Sequence, residues 1–269
     1  MSDIPATSGR RWRRPPLIRD RRWRWAIGLG VALYLAAAFG TVEVDWGRVA
    51  EGLPRAERFV LAFLPPDFVT RWDAIVDGVL ESLWMTVVST VVGVAVSVPI
   101  ALGAARNLSP LPIYYLCRAV IAVSRTFQEV LLAIFFVKLF GFGPFAGFVT
   151  LAFATIGFYG KLLAEAIESM DPRQAEAIRA TGASWFQWLN YGIQPQVMPR
   201  MIGLALYRLD INFRESAVVG IVGAGGIGAT LNTAFDRYEF DSAAAILVVI
   251  IAIVMAVEYS SSFIRGWVQ

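Results

Sequence analysis

A small set of polar side chains lies where the surrounding sequence is almost wholly apolar, and their spacing is helical. Arg125, Gln128 and Glu129 stand three and four residues apart, which would place them on one helical face. Arg208, Asn212 and Glu215 repeat that spacing further on, while Asp210 stands four residues before Arg214, so that the two could neutralise one another. Ionisable groups inside an apolar span are costly and mark either a functional path or a buried pair. The chemistry on offer is reception of an anion, because a guanidinium carries its charge in a planar fork that bonds two oxygens at once. The alternative is that these charges only hold helices in register. Of the arginines, Arg125 and Arg214 are expected to border the path. Arg125 should be the freer of the two, since Arg214 has Asp210 one turn behind it and Glu215 beside it, whereas the order Arg125 then Glu129 is the less favourable one for a helical pair.

Bond-making chemistry is poorly provided for. The sequence has no histidine, so His-based triads, proton shuttles and His metal sites are unavailable. Cys117 is the sole cysteine, which excludes an intrachain disulfide and a cysteine-rich metal cluster. No G-x-x-x-x-G-K-[ST] phosphate loop is present, so the chain is not expected to hydrolyse ATP or to be an enzyme; no catalytic residue, metal ligand or cofactor is assigned to it. Gly223-Ala224-Gly225-Gly226-Ile227-Gly228 fits the dinucleotide fingerprint letter for letter, but the βαβ context that gives those letters meaning is missing. A turn or re-entrant segment with close backbone packing suits it better.

The elements that must position these residues are membrane spans. Hydrophobic residues make up 57% of the 269, more than a soluble domain normally carries. Six segments are long and apolar enough to cross: residues 25–39, 82–104, 111–140, 145–167, 197–222 and 243–263. The third and fifth carry the charges and are expected to line the interior. The fold class is thus an all-α integral membrane protein of about six helices, with an arginine-rich segment at 1–24 and a transmembrane domain at 25–269.

Orientation follows from arginine placement. Arg10, Arg11, Arg13, Arg14, Arg19, Arg21, Arg22 and Arg24 precede the first span, which puts the N-terminus in the cytoplasm. Six crossings return the C-terminus, with Arg265, to that side, and leave 43–77, 141–144 and 223–241 outside. The same basic start, with Arg21-Arg22 before an apolar run ending in Ala36-Ala37-Ala38, could also be read as a secretory or twin-arginine signal. Trp12, Trp23 and Trp25 among the arginines suit a lipid headgroup boundary better than a nucleic acid. Within 43–77, the stretch FVLAFLPPDF at 59–68 is too short to cross, and either packs over the bundle, lies along the outer face or serves as a spacer.

Between the fourth and fifth spans lies a polar helical hairpin, residues 171–195. Asp171 is an N-cap with Pro172 at the first helical position and Gln174 three residues on, the capping-box spacing. Gly182 can end this helix in the left-handed conformation. Ser184 and Gln187 repeat the box, and Gly192 with Pro195 should close the second helix before the next span.

Glu176-Ala177-Ile178, Gly182, Ile193 and Pro195 resemble the "EAA" loop of ABC importer permeases, with Ile178 in place of the second alanine, the isoleucine one place late and Gln194 where leucine is usual. Together with LPPDF at 64–68, GPFAG at 143–147, KLLAEAIE at 161–168, IRATGA at 178–183, YGIQPQVMP at 191–199 and VVGIVGAGGIG at 218–228, the pattern resembles the phosphonate ABC transporter permease family, which is similar in fold to the methionine-importer permeases. The resemblance implies that the hairpin is a coupling helix seated in an ATPase subunit. It also implies that Gly223, Gly225, Gly226 and Gly228 belong to an outer gate. It further implies two permease copies, two cytoplasmic ABC ATPase subunits holding ATP and Mg, and an extracytoplasmic phosphonate- or phosphate-binding protein, all in the bacterial inner membrane. A methionine-type permease for another solute is the alternative within transport; a secondary transporter or channel would need no ATPase. No residue distinguishes a phosphonate from phosphite or phosphate.

Overall fold

The computed structural model describes residues 18, 20–41 and 45–268, with side chains up to residue 261. Most of the arginine-rich segment therefore lies outside the described residues. The chain forms two units, residues 1–58 and 59–269. In the first, α1 (Arg21–Thr41) is an apolar helix opened by Asp20, whose carboxylate accepts the Arg22 amide at 3.0 Å. Helix α2 (Trp46–Ala62) opens at Asp45, which takes the Arg48 amide at 3.1 Å, and carries Pro54 inside it.

The second unit holds α3 (Trp72–Ala104), α4 (Leu111–Thr126), α5 (Glu129–Phe140), α6 (Pro144–Glu168), α7 (Pro172–Ala180), α8 (Trp185–Trp188), α9 (Gln194–Val219), α10 (Gly226–Asp236) and α11 (Phe240–Val268). All regular structure among the described residues is helical. Helices α1, α3, α6 and α11 are each long and apolar enough to cross a membrane, and two bent pairs, α4 with α5 and the α8–α9 run with α10, bring the total to as many as six.

Helices α3 and α6 form the spine. The buried face of α3 carries Ser82, Thr86, Ser89, Gly93, Ser97 and Ala101 at helical spacing. Lipid offers no hydrophobic drive to bring two helices together, so small side chains that let backbones approach are what hold them. Gly93 is one tight point: a Cβ there would stand 2.6 Å from Thr155 Cβ and 3.0 Å from the Ala152 carbonyl oxygen. Three apolar clusters line up along this spine. One, with Ala104, Tyr159, Leu163 and Ile193, sits at the hairpin end; one, with Met85, Leu151 and Val219, is central; one, with Ile75, Leu231 and Ile246, sits at the far end.

Four expectations are corrected. The interior is built chiefly on the fourth span, α6, 61% of whose spanning window is buried, while α4 buries only Ile121 and Ser124. The third span is divided: its first half, α4, is the peripheral one, while α5 buries Leu132, Ala133 and Val137. Helix α3 starts at Trp72, ten residues before the expected span, so 43–77 is mostly helical. Residues 223–241 are not all loop, since the left-handed glycines end at Gly226, where α10 begins. The 59–68 stretch packs over the far end of the bundle: Phe59 and Phe63 make edge and tilted ring contacts with Phe240, and Phe63 reaches Phe235. Arg71 and Glu239 pair beside this cluster, and the bond from Arg71 holds the Glu239 carboxyl below its ordinary range.

Gly93→Leu should lower stability by about 1–3 kcal/mol or more, the usual cost of overpacking a filled contact. Thermal unfolding of purified protein in detergent checks this, and an unchanged midpoint would mean that α3 and α6 are not in close backbone contact.

Candidate functional site

The polar residues of the third span do not share a face, because the span breaks in the middle of them. Phe127 and Gln128 are extended, and α4 and α5 meet at 91°. Hydroxyls at the end of α4 turn onto carbonyls: Thr126 Oγ1 donates to Ala122 at 2.9 Å and Ser124 Oγ to Phe153 of α6 at 2.6 Å. The Gln128 carbonyl then opens α5 by accepting the amides of Leu131 and Leu132. Arg125 falls in the last turn of α4 and Glu129 in the first turn of α5. Each charge complements the helix end it stands at, which is why the order that is poor for one helix suits two. Arg125 and Gln128 are exposed, and the Arg125 stem lies over Gly157, where a Cβ would meet it at 2.7 Å.

The break delivers Glu129 to a polar layer built on α9. Arg208 is 2% exposed; its Nε donates to Thr155 Oγ1 of α6 at 3.1 Å, its Nη2 lies 3.5 Å from Glu215 Oε2 and 3.9 Å from Glu129 Oε1, and its guanidinium stands 5.3 Å from the Phe158 ring centre. One turn on, Asn212 Nδ2 donates to Thr90 Oγ1 of α3 at 2.8 Å and to Thr155 Oγ1 at 3.1 Å. Thr90 and Thr155 can accept these bonds because their own hydroxyl protons go to Thr86 and Leu151 carbonyls. Asn212 Oδ1 and Thr86 Oγ1 are buried without a partner. The layer falls near the middle of α3, α6 and α9, between the hairpin-end and central apolar clusters. Arg208, Asn212 and Glu215 share one face of α9, whereas Asp210 and Arg214 face elsewhere: their pair closes at 3.1 Å with Asp210 buried and Arg214 58% exposed at its side chain. Two carboxylates more than balance the one guanidinium, so an incoming anion would have to displace Glu129 or Glu215 from it.

The hairpin is locked by its own bonds. Asp171 caps α7 through the Arg173 amide at 3.0 Å, Gly182 has φ +81, and Ser184 and Gln187 form the reciprocal box. Gln174 does not complete the first box; the Asp171 amide instead donates to Gln196 Oε1 of α9 at 3.2 Å, a partner that becomes available only when the hairpin closes on itself. Trp188 crosses the corner, its indole N–H on the Ala175 carbonyl at 2.8 Å and its ring under Arg179. Glu176 and Ala177 are exposed on α7, while Gly192 and Ile193 are buried beneath it. Nor do Gly192 and Pro195 end the second helix. Residues 189–193 widen into a π turn and run on into α9 with Pro195 in its first turn, where a proline ring would otherwise strike the carbonyl four residues back.

The glycine segment joins α9 to α10 at a 53° bend. Gly223, Gly225 and Gly226 have φ of +94, +80 and +72. A Cβ on Gly228 would collide with the Ala217 carbonyl oxygen, and one on Gly225 would stand 2.7 Å from the Pro144 nitrogen. Only glycine fits this crossing. The Gly143 amide bonds the Gly223 carbonyl at 3.0 Å, Ser82 Oγ accepts the Ile227 amide at 2.9 Å, and an open cleft of about 540 Å³ adjoins the segment, edged by Glu81, Phe142 and Asn232.

Sequence reasoning passed over Thr90, Thr155 and Phe158. The hydroxyls could have been found, because Ser82, Thr86, Ser89, Thr90 and Ser97 recur on one face of the second span.

Residues 97–269 match the family described as binding-protein-dependent transport system inner membrane component, and the chain belongs to that family. It is therefore a transport permease subunit with the methionine-permease type of fold. It is 42% identical over 250 residues to the phosphate-import permease protein PhnE of Mycolicibacterium smegmatis, covering 93% of this chain and 47% of that one. With the phosphite transport system permease protein PtxC of Stutzerimonas stutzeri it shares 35% identity over 241 residues, 89% of this chain and 86% of that one. Among solved structures, the inward-facing methionine ABC transporter MetNI superposes with TM-score 0.64 and 25% identity, over 72% of this chain and 96% of that chain.

Arg208→Met should lower the yield of folded protein by the equivalent of about 3–5 kcal/mol, since it strands two carboxylates. Adding Glu129→Gln and Glu215→Gln should restore most of that yield. Fluorescence-detected size exclusion of membrane extracts reads both; a single variant as abundant as wild type would show that the three groups are not one electrostatic unit.

Proposed function

We propose that this chain is the membrane subunit of an ATP-driven importer of phosphorus oxyanions: phosphonates, phosphite, phosphate or its esters. The supporting observation is identity of 35% and 42%, over about nine-tenths of this chain, to permeases named for phosphite transport and phosphate import. Two copies would enclose the pore, with the arginine-rich segment 1–24 as a cytoplasmic extension of the transmembrane domain 25–269. Two ABC ATPase subunits bind ATP and Mg on the cytoplasmic side, and an extracytoplasmic binding protein delivers solute. Both termini then face the cytoplasm, as does the hairpin.

In this reading Glu176, Ala177, Gly182, Ile193 and Pro195 make the ATPase-coupling element. Glu176 and Ala177 present its contact surface, Gly182 sets its corner, and Ile193 and Pro195 root it in α9. The path runs past the mid-span layer of Arg208, Asn212, Glu215 and Glu129, with Arg125, Gln128 and Arg214 on its margin. Gly223, Gly225, Gly226 and Gly228 form the outer gate, where a rigid crossing of backbones can separate without side chains interlocking. Because Arg208 is already neutralised, the layer receives an anion weakly, as passage requires. Affinity and choice among phosphorus compounds belong to the binding protein.

Uptake by vesicles carrying the permease with its ATPase and binding protein tests this. Labelled methylphosphonate, phosphite and phosphate are offered with and without internal ATP, and ATP-dependent accumulation of at least one is expected. Accumulation of none, with methionine or another solute taken up instead, would overturn the substrate assignment. ATP-independent flux would overturn the class.

A further inference from the structure

Helix α6 ends two residues before the hairpin begins, and its end is tied down by residues with no role so far. Glu168 Oε1 accepts two bonds, from Arg118 Nη2 at 2.9 Å and from the backbone amide of Arg106 at 2.8 Å. Asn107 Nδ2 donates to the Ile167 carbonyl at 3.0 Å. Arg118 also serves the other neighbour: its Nε donates to the Ala104 carbonyl at 2.9 Å, capping α3, and its guanidinium stands 5.3 Å from the Tyr114 ring centre. The last carbonyls of α3 and α6 are thus satisfied from the turn and helix between them. Three helices end in one node at the root of the hairpin.

From that node α4 runs directly to the break. Arg118 and Thr126 are eight residues apart, about 12 Å of helix. Along this length α4 is seated on α6, with Ser124 and Ile121 against Gly157 and Gly160. Beyond the break Glu129 meets Arg208, which belongs to α9 and so to the other root of the hairpin.

We propose that the Arg118–Glu168 pair, seconded by Asn107, is the coupling strut of the permease. It makes the hairpin-side ends of α3, α4 and α6 one rigid body, so that displacement of the hairpin moves Glu129 and Thr155 against Arg208 instead of being absorbed at Ser169 and Met170. These are positioning residues: they touch neither ATPase nor solute. Without the strut the hairpin still follows the ATPase, and hydrolysis continues while the polar layer stays still.

The proposal rests on the importer reading, and the experiment separates the two. Wild-type complex in vesicles must show ATP-dependent uptake; if it does not, the importer reading fails before the strut is tested. Solute imported per ATP hydrolysed is then measured for Glu168→Gln and for the reversal Arg118→Glu with Glu168→Arg. Glu168→Gln is expected to lower that ratio at least about fivefold, within the range of coupling effects from residues remote from both ligands, with ATPase binding unchanged and the reversal recovering part of the loss. A purely structural role would lower uptake and hydrolysis together with assembled yield, leaving the ratio at the wild-type value, and that result overturns the proposal. Should Glu168→Gln not assemble, Asn107→Ala removes the third tie with the ion pair intact, and an unchanged ratio there overturns it equally.

Discussion

The constraint on which the rest depends is the neutralisation of Arg208 inside a span. A guanidinium at mid-depth cannot be left to lipid, and no single helix supplies its partners: Thr155 comes from α6, Glu215 from α9 itself and Glu129 from the start of α5. The broken third span is what lets Glu129 arrive. The small-residue contact of α3 with α6, tight at Gly93, brings Thr90 and Thr155 within reach of Asn212. A layer that cross-links four helices in this way, α3, α5, α6 and α9, holds them in one arrangement.

The hairpin is the complementary case, a polar element whose corner is fixed mainly by local bonds and whose base is packed on the bundle. Its corner at Gly182, its capping box and the Trp188 strap over Ala175 set the angle between α7 and α8. Gln196 of α9 bonds both the Asp171 amide and the Gly192 carbonyl, tying the start of the hairpin to the helix that leaves it.

Much of this was legible before any coordinates. The α6 boundaries, Gly182 and the Ser184–Gln187 box follow from composition and spacing, because a long apolar run and a cap are local signals. The broken span was not legible, since nothing between residues 113 and 140 is a glycine or proline. Yet its trace was visible in the order of Arg125 and Glu129, awkward for a continuous helix and favourable for an end followed by a start. Arg208 could not be ranked above Arg125 or Arg214 because burial depends on which helix lies opposite, and that is a tertiary fact. Likewise α10 was hidden behind the glycines that precede it.

On the proposed path, the Arg208 layer would open alternately to the two sides of the membrane. Phe158, whose ring lies over Arg208, allows this to be read directly. With Cys117 replaced by serine, Phe158→Cys in the complete complex is exposed to a membrane-impermeant thiol reagent added only from the binding-protein side. The account predicts slow labelling without nucleotide and labelling at least about tenfold faster with binding protein and a non-hydrolysable ATP analogue, the scale of a shift between two conformers. Equal rates in both states, or no labelling in either, would contradict it.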